Sequence, residues 1–221
     1  MLPTTKANTE TRNAFLSELV ATPAGRAHVL SISVEAEEGD EGGVFDQLVN
    51  IVDDAKLRRI VERHRDDEVR HAQLFRDCLD RLDLELQPVP DALRIIPRIA
   101  ARSAGIITGL STTDDVVGVY AVLQAIEERG VEQFPIIAEA FRTVDPETAD
   151  VYLRVTRDER GHVRYCDAIG RHYAPDDRAW HELVDRARVI EEAAFVEVGV
   201  ADRAYCSERG LIAQRVASPK G

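Results

Sequence analysis

The 221-residue sequence has few cysteines and few aromatic residues, and it has no long apolar run. Its three cysteines, Cys78, Cys166 and Cys206, are too far apart for a Cys-x-x-Cys metal knuckle and too few for a disulfide framework. No stretch approaches the ~18 consecutive apolar residues of a membrane-spanning helix. The first residues also lack the apolar segment of a secretory signal. These absences predict a cytoplasmic protein without a membrane span.

The charge balance is acidic, with 40 Asp and Glu residues against 28 Lys and Arg residues and a net charge of −12. A chain of this charge is repelled by phosphate backbones, so nucleic acid is not a predicted partner. The hydrophobic fraction of 44% is ordinary for a globular protein with a substantial core.

Apolar residues recur at helical spacing between a few clusters of proline, glycine and capping residues, and few segments alternate as strands do. The pattern predicts an all-α protein with long helices over residues 23–52, 55–84 and 146–173, and with another that follows the capping cluster at residues 111–115 and runs to residue 143. Residues 85–112 form a crossover between the second and third helices. The predicted organisation is an N-terminal extension (1–22), a four-helix domain (23–175), and a C-terminal fifth helix and tail packed on it (176–221).

Acidic residues and histidines repeat after 91 positions. The strings Asp67-Glu68-Val-Arg-His71 and Asp158-Glu159-Arg-Gly-His162 are the core of the repeat. In this composition an Asp-Glu-x-x-His string is expected roughly 0.05 times by chance, yet it occurs twice. A further glutamate precedes each string by 31 residues: Glu37 in the first copy and Glu128 in the second.

Glu and His three positions apart lie on one face of a helix and can reach the same metal ion. An upstream glutamate on the preceding antiparallel helix supplies another donor. Inward-facing carboxylates cost several kcal/mol each unless their charge is compensated, and two divalent ions would compensate four of them. A carboxylate-rich set with two imidazoles favours iron or manganese over structural zinc. The predicted metal ligands are Glu37, Glu68, His71, Glu128, Glu159 and His162.

Two of these assignments have competitors, because only the 91-residue register selects between neighbours. Glu35 and Glu38 compete with Glu37, and Glu127 competes with Glu128. The sequence leaves these alternatives open.

Residues beside the predicted ligands have supporting roles. Asp67 and Asp158 are expected to accept hydrogen bonds from ligand histidines or a nearby arginine, without binding metal themselves. His64, one turn before Glu68, is a candidate third histidine ligand. Further candidates, for proton transfer or metal contact, lie one turn beyond the upstream glutamates: Glu41 and Glu132. No catalytic residue beyond the metal ligands is predicted.

The order Glu, Asp-Glu-x-x-His, Glu, Asp-Glu-x-x-His over residues 24–173 resembles the ferritin-like dinuclear carboxylate superfamily. The resemblance implies a four-helix bundle with a long crossover between helices two and three, and a centre of two iron ions, with manganese as the alternative. It also implies that Glu68 and Glu159 bridge or chelate the ions. The remaining ligands would be terminal: Glu37, His71, Glu128 and His162.

Among superfamily members, two complete half-sites disfavour a storage ferritin, and the cysteine spacing excludes the rubredoxin module of rubrerythrins. Phe75 stands where ribonucleotide reductase small subunits carry a radical tyrosine, four residues after the first ligand histidine. The expected function is a diiron oxygenase or oxidase that activates dioxygen to oxidise a small, largely apolar substrate, using an external electron donor. A rubrerythrin-like iron-handling or peroxide-scavenging protein is the alternative, and a helical module with a merely structural site is the third. A homodimer is a candidate assembly.

Overall fold

The computed structural model describes residues 6–38, 43–107 and 109–212, with side chains from residue 11. Within these ranges the chain forms eight α-helices and no strand, which confirms the all-α prediction. The helices are α1 (Lys6–Val20), α2 (Pro23–Glu37), α3 (Val44–Ile51), α4 (Ala55–Arg81), α5 (Ile95–Arg102), α6 (Thr113–Phe141), α7 (Pro146–Tyr173) and α8 (Asp177–Glu208). Of the helices in these ranges, none is long and apolar enough to cross a membrane.

Capping residues fix where the helices begin. The Asp54 carboxylate accepts hydrogen bonds from the backbone N–H groups of Lys56 and Leu57 at 2.8 and 2.9 Å, which satisfies two free donors at the start of α4. Asp145 holds the equivalent position before α7, but its side chain makes no capping hydrogen bond. Its carboxylate instead accepts hydrogen bonds from Arg81 at 3.0 and 2.5 Å, so it ties the end of α4 to the start of α7.

The first predicted helix, over residues 23–52, is two helices in the structure. Helix α2 ends at Glu37, and α3 begins at Val44 after Gly43, whose φ of 65° lies in the left-handed region. Glycine adopts this conformation without the steric cost of a Cβ atom. The prediction of one continuous helix is therefore wrong. By contrast, α6 runs unbroken through Gly130 and Pro135.

Helices α2, α4, α6 and α7 form a four-helix arrangement. Helix α6 packs along α7 after the short turn over residues 142–145, α2 packs along α4, and α4 contacts α7. The predicted fifth helix is α8, which packs mainly on α6, while α1 covers α2 and α6. Helix α8 buries an apolar stripe, with Trp180, Val184, Ala187 and Ala194 at most 2% exposed.

The apolar interior consists of two cores at different levels of the bundle. Helix α4 contributes Val61 to one core and Phe75 to the other. Helix α7 contributes Cys166 and Tyr152 to the same two cores, respectively. The Glu and His residues of both helices lie between these positions along the chain. A polar layer therefore crosses the middle of the bundle, with independent apolar packing on either side of it.

Candidate metal centre

Seven buried or nearly buried side chains from α2, α4, α6 and α7 converge in two overlapping clusters. The two-histidine cluster consists of His64, Glu68, Glu127 and His162. The one-histidine cluster consists of Glu37, Glu68, His71 and Glu159. In each cluster the donor atoms lie within 4.8 Å of one another, and Glu68 belongs to both. Clusters of this composition and spacing could hold a metal ion.

Helix α4 contributes three donors because they lie at positions i, i+4 and i+7 of one helical face. His64 and His71 are fully buried, whereas the Glu68 side chain between them is 18% exposed. The imidazole of His64 stacks on that of His162 with a centroid distance of 4.0 Å. Sequence reasoning had made His64 a candidate ligand only, and the structure places it within the two-histidine cluster.

Glu159 connects the two clusters. Its Oε1 lies 3.1 Å from Nδ1 of His71, and its Oε2 lies 3.0 Å from Nδ1 of His162. The Oε1 atom of Glu68 is also 3.1 Å from Nδ1 of His162, and 3.4 Å from Nε2 of His64. Glu68 and Glu159 therefore lie in the middle of the two clusters, where bridging ligands would have to be.

Two aspartates lie behind the inward-facing histidines. Asp67 Oδ2 is 3.4 Å from Nε2 of His162, and Asp158 Oδ2 is 3.5 Å from Nε2 of His71, so each aspartate faces a histidine of the other repeat. Arg70 donates to both aspartates, at 2.6 and 3.1 Å. A carboxylate beside Nε2 favours a proton on that nitrogen, which leaves Nδ1 free to bind a metal.

On α6 the structure places Glu127, not Glu128, in the cluster. Glu127 Oε1 lies 3.1 Å from Nε2 of His64, and its side chain is 7% exposed. Glu128 instead forms a double hydrogen bond with Arg188 of α8, at 2.6 and 2.7 Å. Adjacent residues of a helix point about 100° apart, so only one of the two glutamates can face inward. The structure therefore brings Glu127, the alternative that the sequence left open, into the cluster and leaves Glu128 outside it.

The upstream glutamate lies at a different distance from its Asp-Glu-x-x-His string in the two halves of the chain, and this difference has a structural cause. Glu127 precedes Glu159 by 32 residues, whereas Glu37 precedes Glu68 by 31. In the first half, the chain between these glutamates ends α2 and passes through α3 before entering α4. In the second half, α6 and α7 are joined by a short turn. The number of residues between two ligands on different helices depends on the connection between those helices, so it can differ between the two halves. The spacing of residues within one helix is fixed by the helix itself.

The three glutamates that compete for the ligand position at the end of α2 contact different side chains. Glu37 Oε2 lies 3.1 Å from Nδ1 of His71, and its side chain is only 6% exposed. Glu35 accepts a hydrogen bond from Arg94 at 2.7 Å, and Glu38 accepts one from an arginine of α4 at 2.5 Å. Glu37 is therefore the acid of this trio that the structure brings into the cluster.

The remaining candidate acids do not join the centre. Glu132 pairs with Arg129 of its own helix at 3.1 Å and lines a surface groove of about 630 Å³ between α6 and α8. Glu41 lies outside the described residues. Tyr152 of α7 is fully buried, with its hydroxyl 2.7 Å from Ser33 Oγ.

Burial and mutual contact change the acidity of the clustered groups. Burial and the neighbouring Glu68 carboxylate raise the pKa of Glu37 to about 8. Burial alone would lower the pKa of His71, but the Glu159 and Glu37 carboxylates beside its Nδ1 outweigh burial and raise this pKa to about 10. The pKa of His162 is raised in the same way, against burial, by its carboxylate neighbours. In the metal-free protein, protons on these groups offset much of the carboxylate charge.

The centre also has buried polar atoms that the protein leaves without a hydrogen bond. These include Oε1 of Glu68, Oε1 of Glu159 and Nδ1 of His64. A buried donor or acceptor without a partner costs about 1–3 kcal/mol, and more when it is charged. Unsatisfied carboxylate oxygens at the centre of an imidazole and carboxylate cluster are the expected condition of ligands whose cation is absent. The residues therefore fit a bound metal.

Sequence reasoning did not single out Arg70, although the structure places it between Asp67 and Asp158. The repeat gave no sign of it, because its counterpart 91 residues later is Gly161. The available signal was its spacing of three residues from Asp67, which puts both on one face of α4.

Comparison with protein-family models, curated proteins and solved structures finds no match for this chain. The resemblance to the dinuclear carboxylate superfamily therefore depends on the sequence motifs and on the geometry of the centre.

Proposed function

We propose that this protein is a ferritin-like, dinuclear non-haem iron enzyme that uses dioxygen to oxidise a small, largely apolar organic substrate. The observation that carries the proposal is the convergence of four carboxylates and three imidazoles in two clusters that share Glu68. Such an arrangement offers two adjacent cation positions with common ligands between them.

The donor chemistry supports iron. Four carboxylates match the charge of two divalent ions, and the set of oxygen and nitrogen donors includes no thiolate. Iron suits this combination, with manganese as the alternative. One ion would bind Glu37 and His71, and the other would bind His64, Glu127 and His162. Glu68 and Glu159 would be shared.

Ferrous ions held in this centre would supply electrons and Lewis acidity for the reduction of dioxygen. Asp67 and Asp158 would keep a proton on Nε2 of His162 and His71 and hold both rings in their binding orientation. Continued turnover needs electrons from an external donor, because the described donor set contains no second redox group.

The surroundings of the centre support an apolar substrate. Val61 and Val155, one turn from the donors, are fully buried. Cys166, one turn beyond His162, is fully buried as well. A molecule bound against these side chains loses contact with water, which favours an apolar substrate and protects a reactive oxidant from solvent.

Peroxide scavenging is the second candidate, and one observation favours it. The Glu68 side chain is 18% exposed, whereas those of the other six donors are at most 7% exposed. Solvent therefore reaches the centre at Glu68, where a small polar molecule such as hydrogen peroxide could approach the donors.

The test is to load the protein anaerobically with ferrous iron and then mix it with dioxygen or hydrogen peroxide, with and without small apolar compounds. We expect dioxygen uptake in proportion to bound iron, retained in Glu128→Gln and lost in Glu159→Gln. Iron oxidation by peroxide without dioxygen uptake would assign the scavenging function. A protein that binds no iron would contradict both.

A further inference from the structure

A second group of metal-type donors lies away from the candidate metal centre, where α8 meets α2. His28 of α2 faces Asp202 and Cys206, which lie one turn apart on the same face of α8. The distances are 2.7 Å from His28 Nε2 to Asp202 Oδ1, 3.4 Å from Nε2 to Cys206 Sγ, and 3.5 Å from Sγ to Oδ1. Cys206 is fully buried and His28 is 7% exposed.

The arrangement does not suit a nucleophilic triad. In a triad the carboxylate binds one ring nitrogen and the nucleophile binds the other, so that the imidazole passes a proton between them. Here the carboxylate and the thiol both approach Nε2. Three different donors around one point instead resemble the protein side of a cation site.

The donor types and spacings fit a tetrahedral zinc-type ion. Zinc binds nitrogen and oxygen at about 2.0–2.1 Å and sulfur at about 2.3 Å, which separates tetrahedral donors by roughly 3.3–3.6 Å. The two distances to Sγ already lie near this range. The 2.7 Å contact between His28 and Asp202 is a hydrogen bond, and it would have to open by about 0.6 Å when a cation replaces its proton.

The surroundings give the cluster both rigidity and access. The ring of Tyr205 stacks on that of His28 at a centroid distance of 5.4 Å, which restricts the imidazole. His28 also lines a cavity of about 300 Å³, together with the segment over residues 87–90 and the end of α8. The Asp202 side chain is 18% exposed, so solvent reaches the cluster.

We propose that His28, Asp202 and Cys206 form a second metal site that binds one zinc-type divalent cation, with a water molecule as the fourth ligand. Binding would release the thiol proton of Cys206 to solvent and leave the imidazole proton on Nδ1. The carboxylate and thiolate charges then balance the cation. Because its ligands come from α2 and α8, the ion would link the C-terminal helix to the bundle. This proposal does not depend on the function proposed above.

Cobalt(II) is the probe, because a cobalt–thiolate bond gives an intense near-ultraviolet charge-transfer band that oxygen and nitrogen ligands do not give. The candidate metal centre contributes no sulfur donor, so cobalt bound there is silent in this band. We expect the full-length protein to develop the band on titration and to lose it when zinc is added. Cys206→Ser should abolish the band. Cys166→Ser and Cys78→Ser, which remove the other two buried thiols, should leave it intact.

Asp202→Asn provides a second variant, because this side chain is partly exposed and the replacement is nearly isosteric. It should weaken cobalt binding in this band at least tenfold, with folding checked by circular dichroism. Absence of the band in the unmodified protein would overturn the proposal, whichever variants fold. A band that persists in folded Cys206→Ser, or that is unchanged in folded Asp202→Asn, would overturn it as well.

Discussion

The two clusters of the candidate metal centre share one carboxylate but differ by one imidazole. The one-histidine cluster contains His71, whereas the two-histidine cluster contains both His64 and His162. The difference comes from α4, since the position equivalent to His64 on α7 is Val155, a fully buried apolar residue. The sequence repeat therefore produces two clusters that share Glu68 but are not equivalent in their donors.

If the centre holds two ions, as proposed, this inequality predicts that they bind with different affinities. An additional neutral nitrogen donor replaces a water molecule and adds no charge, so the two-histidine position should hold borderline cations more tightly. Glu68 and Glu159, which the proposal shares between the two ions, should matter for both of them. Substitutions of single residues test the difference in affinity and the role of the shared carboxylates separately.

The largest effect should follow from removing a shared carboxylate. Glu159→Gln keeps the shape of the side chain but removes the charge whose two oxygens face His71 and His162. We expect the iron content to fall from about two ions per chain to less than one, measured by elemental analysis after anaerobic loading and gel filtration. Glu128→Gln is the matched control on the neighbouring helix and should retain both ions. Full iron content in the Glu159 variant would contradict the assignment of a shared ligand.

His64→Val tests the inequality itself by giving α4 the residue that α7 already has. We expect one of the two binding constants of the centre for ferrous iron to fall at least tenfold while the other changes little, since the one-histidine cluster is untouched. Isothermal titration resolves the two events. Equal weakening of both sites would show that His64 acts on the packing of the bundle and not on one ion.

Asp67→Asn and Asp158→Asn should have a smaller effect. Each replacement removes the carboxylate behind one histidine, and such partners typically contribute 10–100-fold to metal affinity. Because each aspartate faces a histidine of a different cluster, the two variants should weaken different ions. Both proteins should remain folded. Unchanged metal affinity in both variants would contradict the proposed role of the aspartates.

The smallest expected effect is on the thermal stability of the metal-free protein. The folded-state pKa values of Glu37, about 8, and His71, about 10, lie above their ordinary values, so the folded chain binds these protons more tightly than the unfolded chain. Stability is therefore lost as the pH rises through this window. We expect the metal-free melting temperature to be several degrees lower at about pH 9 than at about pH 6.

Iron or manganese should reduce this pH dependence, because the ions replace the protons. The metal-free chain should still melt cooperatively at both pH values, since the apolar cores on either side of the centre do not require metal. Circular dichroism against temperature measures both results. Metal-free protein without a melting transition at either pH would show that the ions hold the fold together.

Features within single helices were predictable from the sequence, whereas features across connections were not. The faces of α4 and α7 that carry Glu68, His71, Glu159 and His162 follow from helical periodicity alone. The choice of Glu127 depends on the length and path of the chain between α6 and α7. The break after α2 depends on a glycine with a positive φ, which competes with an otherwise helical pattern.

Contacts between distant segments could not be predicted from the sequence either. Asp202 and Cys206 are a helical pair, but their partner His28 lies 174 residues from Asp202 along the chain. Arg70 has no counterpart in the repeat, so its bridge between Asp67 and Asp158 emerges only when α4 and α7 are packed together. In both cases the packing of helices, not a local pattern, creates the cluster.

The most direct test of the central claim is the anomalous scattering of crystals loaded anaerobically with ferrous iron, measured on both sides of the iron absorption edge. A dinuclear iron centre predicts two iron peaks within the bundle, about 3.5–4 Å apart, with Glu68 and Glu159 between them and His64 at only one of them. A single peak in the bundle, or none, would contradict a dinuclear centre.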